Sequence, residues 1–158
     1  TEYPDNGERA IFFARGVLET VKKLRWVPDI IHCQGWMGAV IPLYVKTAYK
    51  DEPSFANAKV ITSLFQTQLK TDLGTNFKRC VQFKDAKLDL LKPYNEKFDF
   101  FELGKLAIDY SDGIIEAGTD VNEKLLKYCA DKELPFLKYP GSDFTKAYQE
   151  FYDLVLQK

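Results

Sequence analysis

This 158-residue sequence contains a single histidine and three widely spaced cysteines. Histidine and cysteine are the side chains that supply nitrogen and sulfur ligands to zinc. One histidine with Cys33, Cys80 and Cys129 supplies no group of neighbouring ligands, so we predict no metal site and no bound cofactor. An odd number of cysteines also argues against a disulfide framework. It favours a reducing compartment, and we therefore expect a cytoplasmic protein.

Charge of one sign and long apolar runs are also lacking. The formal net charge is −1, so no strongly basic face is expected and nucleic acid is a poor candidate partner. The apolar runs are too short to span a membrane. Acidic and basic residues crowd residues 2–9, unlike a signal peptide. With 46% apolar and 28% charged residues, the composition predicts one globular domain over residues 1–158.

Helical and strand periodicities alternate along the chain. We predict strands at residues 29–33, 59–64, 114–115 and 135–139. We predict helices at residues 7–24, 35–49, 85–91 and 98–110, after 119 and after 142, with a loop at 71–76. Asp5 with Glu8, Thr119 and Ser142 are the expected helix caps. Because strands alternate with helices, the predicted fold class is α/β, a Rossmann-like doubly wound parallel sheet with helices on both faces.

The segment PDIIHCQGWM, residues 28–37, is where a ligand site is expected, because ligands bind beyond the carboxyl ends of parallel strands. Gly35 would open a helix whose free N–H groups can hold an anion. Alternatively, Gly35 only makes the turn and Trp36 only packs in the core, which we favour. His32 is read as a core histidine rather than a catalytic base. Cys33 cannot pair with it, because adjacent strand residues point to opposite faces.

Two further patterns have a functional and a structural interpretation. Asp109 and Asp112, with Glu102 upstream, form an acidic group suited in principle to acid/base chemistry, but a solvated helix face followed by a turn explains them better. Aromatic residues make up 15% of the chain and can stack on sugars. Most recur at helical spacing and are predicted to lie in the core.

Several ordered motifs resemble those of bacterial glycogen (starch) synthases. Residues 4–19 resemble the Asp-Asn-x-x-Arg-Phe helix of that family, and residues 28–37 align with its Pro-Asp-Val-Val-His-x-His-Asp-Trp-His motif. Residues 42–44, 59–60 and 105–113 follow in the family's order and at fitting distances. Because these matches cover most of the chain, they are far more specific together than any one alone.

The resemblance implies a retaining GT-B glycosyltransferase, which moves glucose from ADP-glucose to an α-1,4-glucan in a cleft between two Rossmann-like domains. This chain resembles the later part of the N-terminal, acceptor-side domain, as in short single-domain homologues. The family's Lys-x-Gly-Gly-Leu loop and its C-terminal nucleotide-binding domain have no counterpart here. We therefore expect a fragment that is inactive alone and contains no catalytic residue.

The family's binding motif is degenerate in this chain. The candidate substrate-binding residues are His32, Gln34, Gly35, Trp36, Met37, Phe65 and Gln66. Of the motif's polar residues, two histidines and an aspartate are replaced at positions 34, 35 and 37, and the family's His-Asn pair is replaced at 65 and 66. Met37 and Phe65 cannot donate a hydrogen bond to a sugar hydroxyl. The segment is therefore predicted to be the remains of a site.

Three functions stay open at this point. The chain is an inactive synthase-family domain, a glucan-binding or regulatory module that uses Trp36 and nearby tyrosines, or a small-molecule enzyme with an anion at Gly35. The lost polar residues favour the first two. The family's first strands precede the matched region, so we also expect an exposed sheet edge or face. Either the missing N-terminal segment or a second copy of the chain is predicted to cover it.

Overall fold

The structure, a computed structural model, describes residues 2–66 and 69–158. The helices are α1 (Asn6–Lys23), α2 (Gly35–Gly38), α3 (Ile41–Lys46), α4 (Phe77–Cys80), α5 (Phe100–Asp109), α6 (Glu123–Ala130) and α7 (Thr145–Leu156). The strands are β1 (Ile30–Gln34), β2 (Lys59–Leu64), β3 (Gly113–Glu116) and β4 (Phe136–Leu137). A short 3-10 helix, Leu88–Leu91, lies between α4 and α5.

The strands form one parallel sheet in the order β1-β2-β3-β4. Each strand lies next to the one that precedes it in the chain, always on the same side. Because crossovers between parallel strands are right-handed, the connecting helices all lie on one face of the sheet. α7 follows β4 and packs on the other face. The predicted Rossmann-like α/β class is therefore confirmed.

Alternation along the strands divides the core between the two faces. Cys33 and Val60 point toward α1 and the crossover helices and are buried with them. Ile61 and Ile115 point the other way and pack against α7. The central strands β2 and β3 are thus buried on both sides, as expected for a parallel sheet covered by helices. No helix within the described residues is both long enough and apolar enough to cross a bilayer.

Two glycines let helices approach their neighbours closely. A Cβ atom at Gly104 in α5 would lie 2.7 Å from a methyl carbon of Leu125 in α6. A Cβ atom at Gly113 would lie 2.9 Å from a methyl carbon of Val155 in α7. Both neighbours are buried, so a side chain at either position must displace packed atoms.

The predicted strands all form, and the second, at residues 59–64, has the predicted bounds. The predicted helix at 35–49 is divided into α2 and α3. Pro42 lies in the first turn of α3, where its missing N–H is tolerated. The helix predicted at 85–91 is only the short 3-10 helix, and α4 was not predicted.

Asp5 occupies the predicted N-cap position of α1, and the other two predicted caps were wrong. The Asp5 carboxylate accepts no backbone cap bond and pairs instead with the Arg9 guanidinium, 2.9 Å away. α6 is capped by Asn122, whose side chain accepts the Lys124 N–H at 2.9 Å, and not by Thr119. α7 begins after Phe144 and has no side-chain cap, so Ser142 lies outside it.

The apolar residues of the last helix are not all buried. Phe144, directly before α7, and Leu154 within it are 50% and 46% exposed. Phe151 and Val155 are the residues of α7 that become buried. α7 therefore rests on the sheet along a narrow strip.

We predict that Gly104→Ala lowers the free energy of unfolding by about 1–3 kcal/mol, because the new methyl group overlaps the buried Leu125 side chain. Urea denaturation measures the change. Gly16→Ala is the matched control, since no atom lies within 4 Å of a Cβ there. It should stabilise α1 by about 0.5–1 kcal/mol. Equal effects of the two substitutions would contradict the close packing of α5 on α6.

Candidate functional site

The candidate residues follow two neighbouring strands. In the parallel register of β1 with β2, Gln34 lies opposite Ser63. Residues 35–37 and 65–66 therefore leave the sheet at the same edge, beyond the carboxyl ends of the strands. We call residues 34–37 with 65 and 66 the strand-end site. All six of its residues are uncharged.

Gly35 makes the turn from β1 into α2. Its φ is +70°, a conformation that favours glycine, while no atom lies within 4 Å of a Cβ built there. The backbone angle and not the surrounding space therefore demands glycine. α2 contains four residues, and Gln34 makes no side-chain cap bond to it. A single turn has little cumulative dipole, which weakens the anion-binding interpretation.

Trp36 and Phe65 lie on a small cavity between the strand ends and α5. Its volume is about 30 Å³, and its other walls include Gly104 and Leu125. A space of this size holds about one water molecule and excludes a sugar ring. The half-buried Trp36 and Phe65 rings thus mainly pack here, which supports the structural interpretation of Trp36 on this side.

Met37 and the other side of Trp36 face a much larger apolar groove beside α1, of about 820 Å³. We call it the α1 groove. Trp26, Leu24 and one flank of α1 form the rest of its apolar wall. Gln34 and Gln66 are exposed to solvent. The strand-end site therefore exposes two amide side chains and Met37 to solvent, while Trp36 and Phe65 are half-buried.

His32 lies apart from the strand-end site, beneath α7. Its Nδ1 is 2.7 Å from the Tyr152 hydroxyl and its Nε2 is 2.6 Å from Oγ of Ser63. The rings of Tyr148 and Tyr152 approach it edge-on at centroid distances of 5.9 and 5.7 Å. Both ring nitrogens are occupied by protein groups, so the predicted core role of His32 agrees with its position.

Burial sets the protonation of His32 and of its neighbour Cys33 in β1. It lowers the pKa of His32 below its ordinary value of 6.5 and raises the pKa of the Cys33 thiol to about 12. Cys33 points to the opposite face of the sheet, as predicted, and is packed in the core. A thiol that stays protonated and buried is no nucleophile.

The acidic group after α5 has structural partners. Asp109 accepts hydrogen bonds from the hydroxyls of Tyr94 (2.6 Å) and Tyr128 (2.8 Å) and pairs with Lys132 at 2.7 Å. Asp112 accepts a β2 backbone N–H at 2.7 Å. These carboxylates hold elements together. Asp109 is exposed and Asp112 half-buried, as the predicted solvated helix face and turn require, whereas Glu102 is buried. No group of three metal-ligating side chains occurs among the described residues.

Sequence reasoning missed three residues around these sites. Ser63 and Tyr152 hold His32, and the tyrosine comes from a helix 120 residues away in sequence. The one feature of the sequence that could have indicated this contact was Ser63, a serine inside the apolar strand β2. Asn6, in the first turn of α1, lines the α1 groove. It is buried, yet its carboxamide N and O have no hydrogen-bond partner within residues 2–66 and 69–158.

The lowered pKa of His32 predicts a pH dependence of stability. The unfolded chain binds a proton more readily than the folded chain, so the stabilisation is present above the unfolded pKa and is lost as pH falls below it. Between about pH 7.5 and about pH 5.5, the free energy of unfolding should therefore drop more in the wild type than in His32→Gln. Urea denaturation at several pH values measures this. His32 is the single histidine, so parallel pH profiles would contradict the assignment.

Comparisons with known proteins agree with the motifs. The family described as "Starch synthase catalytic domain" matches residues 1–127. A glycogen synthase of Clostridium perfringens is 37% identical over 114 residues, which cover 70% of this chain and 23% of that protein. A glycogen synthase of Chlorobium luteolum is 48% identical over 59 residues, or 37% of this chain and 12% of the relative.

A Thermotoga petrophila glycogen synthase is 44% identical over 61 residues, which cover 39% of this chain and 13% of that protein. The chain thus spans less than a quarter of the length of these relatives. No solved structure is a significant match. The family match covers most of the chain and includes β1, the strand-end site and the α1 groove. The chain belongs to the glycogen and starch synthase family.

Proposed function

We propose that this chain forms part of the acceptor side of a glycogen- or starch-synthase-type glucosyltransferase and that it transfers no glucose on its own. The reaction implied is movement of glucose from ADP-glucose to an α-1,4-glucan. The observation that carries the proposal is that the strand-end site contains no ionisable side chain. Glucosyl transfer develops charge on the sugar and on the leaving phosphate, and this charge needs placed ionic or strongly polar groups.

The histidine that the motif contains is unsuited to the reaction. His32 is turned beneath α7, and both of its ring nitrogens are engaged by Ser63 and Tyr152. Releasing it would leave a buried serine and a tyrosine without their partner. The amides of Gln34 and Gln66 can bind hydroxyl groups but carry no charge.

The extent of the match to known glycogen synthases also supports the proposal that this chain transfers no glucose on its own. The aligned region is 23% of the length of the Clostridium perfringens glycogen synthase. Groups that bind a nucleotide sugar in such a relative can lie in the remaining three quarters. In this proposal the chain supplies a scaffold and acceptor-side surface. Its three free cysteines suit the reducing environment of the cytoplasm.

Glucan binding is the second candidate function, and the position of Trp36 favours it. Trp36 reaches the α1 groove, where Tyr3 is 47% exposed at the same end as Met37. Aromatic rings with an exposed face stack on the apolar faces of glucose units. The exposed amide of Gln34 adjoins this end and can bond to glucose hydroxyls.

Calorimetry with two ligands tests both candidates. We predict no measurable heat of binding with ADP-glucose, because the strand-end site has no cation for the diphosphate. If the glucan-binding candidate holds, maltoheptaose binds, and Trp36→Ala weakens its binding by about tenfold or more.

Trp26→Ala is the matched control, because Trp26 is the other tryptophan and lies in the groove away from the strand ends. It should leave maltoheptaose binding unchanged. Binding of ADP-glucose by the chain alone would contradict the first proposal. If Trp36→Ala and Trp26→Ala weaken maltoheptaose binding equally, the glucan does not bind specifically at the Trp36 end of the groove.

A further inference from the structure

α7 is attached to the sheet by a narrow apolar strip and one hydrogen bond. Phe151 and Val155 are its buried residues, and they pack on β2 and β3. Among the described residues, the contact of 2.7 Å between the Tyr152 hydroxyl and Nδ1 of His32 is the only hydrogen bond that joins α7 to the sheet. An element with so few buried contacts opens at a lower free energy than the core of the same protein.

The segment between β4 and α7 is held mainly at its β4 end. There the Tyr139 N–H donates to the Glu116 carboxylate at 3.2 Å. Residues 142–144 are exposed, and α7 begins without a side-chain cap. α7 can therefore leave the sheet without breaking the pairing of β4 with β3.

The hydrogen bonds of His32 suit a neutral ring. Nδ1 lies 2.7 Å from the Tyr152 hydroxyl, and Nε2 lies 2.6 Å from Oγ of Ser63. A neutral imidazole has one donor and one acceptor nitrogen, so one of the two hydroxyls donates to the ring. A protonated ring donates from both nitrogens. Proton uptake therefore leaves that hydroxyl proton without its acceptor, in addition to burying a charge.

The surroundings of His32 do not compensate this charge. The titratable groups that face it from α7 are Tyr148 and Tyr152, and burial raises the pKa of Tyr152, so this phenol stays neutral. β1 contains no charged residue, and Lys59, on the same face of β2, opposes proton uptake. The charged side chains of α7 are exposed, namely Lys146, Glu150 and Asp153. No carboxylate within the described residues pairs with His32, and burial alone lowers its pKa.

The two hydroxyls bound to His32 differ in how they can be released. Ser63 belongs to β2, which is paired with β1 and buried on both faces. The Nε2 bond therefore parts only if the sheet opens. Tyr152 belongs to α7, and its bond to Nδ1 parts when this helix alone moves. Opening at α7 gives the ring access to water and exposes only two buried side chains of the helix, Phe151 and Val155.

We propose that proton uptake by His32 detaches α7 from the sheet while the rest of the chain stays folded, so that α7 is an acid-sensitive cover of β1 and β2. Such a release goes beyond the proposed function, because it requires neither glucosyl transfer nor glucan binding. The pH-dependent unfolding described above involves the whole chain, whereas here one helix opens. The surface uncovered is the face of the sheet formed by Ile61 and Ile115.

Hydrogen exchange of the full chain, followed residue by residue by NMR between about pH 7.5 and about pH 5.5, tests the proposal. The amides of Phe151 and Tyr152 in α7 should be less protected than those of Leu106 and Ala107 in α5 at every pH, because α7 opens by itself. After correction for intrinsic rates, protection of the α7 amides should fall about three- to tenfold over this range. The reason is that the detached form binds the proton more readily than the closed form.

Three variants assign the effect to the hydrogen bond and to the proton. His32→Gln keeps a donor and an acceptor but takes up no proton, so protection of α7 should not fall with pH. Tyr152→Phe should lower this protection about three- to tenfold already at about pH 7.5, because the bond to His32 is lost. Tyr148→Phe is the matched control, because this ring also approaches His32 edge-on but its hydroxyl bonds to neither ring nitrogen. It should leave the protection unchanged.

Three results would overturn the proposal. Equal protection of α7 and α5 amides in the wild type would mean that α7 opens only when the whole chain unfolds. The same pH dependence in the wild type and in His32→Gln would assign the proton to another group. Equal losses in Tyr152→Phe and Tyr148→Phe would show that ring packing, and not the hydrogen bond to His32, holds α7. Circular dichroism verifies that the variants fold.

Discussion

Parallel pairing of β1 with β2 positions every candidate residue of this chain. The register that places Gln34 opposite Ser63 brings residues 35–37 and 65–66 to one edge of the sheet. The same pairing sends His32 and Cys33 to opposite faces, one beneath α7 and the other into the main core. A shift of one residue would exchange them, placing a histidine in the apolar core and a thiol beside Tyr152. The site chemistry is therefore a consequence of this ladder.

The ladder assembles a strand-end site that contains no ionisable side chain. Gly35 still makes the turn that φ +70° requires, and Trp36 still lies at the strand end. The histidine that remains in the motif is tied to two hydroxyl groups beneath α7. The proposed function follows from this surface: its amide groups can bind neutral hydroxyls, and we propose that the charged groups of glucosyl transfer come from outside this chain.

The sequence predicted what depends on local periodicity. β2 has the predicted bounds, and α1 is within one residue of them, because long apolar repeats specify these elements. Asp5 is at the predicted cap position, but its carboxylate pairs with Arg9 instead of making a cap bond. The caps of α6 and α7 were wrong, because a cap depends on where the preceding loop places each side chain. The Tyr152 contact and the burial of Asn6 depend on packing between distant segments, which periodicity does not encode. The family resemblance identified the strand-end residues, but only the structure separated His32 from them.

The most direct test of the central claim is an assay of glucosyl transfer by the chain alone. Purified protein is incubated with radiolabelled ADP-glucose and glycogen, and label incorporated into the glucan is measured against a reaction without protein. The account predicts no incorporation above this background at any protein concentration. Incorporation that rises with protein concentration, and that is lost in Gln34→Ala, would show that the strand-end site performs the transfer and would contradict it.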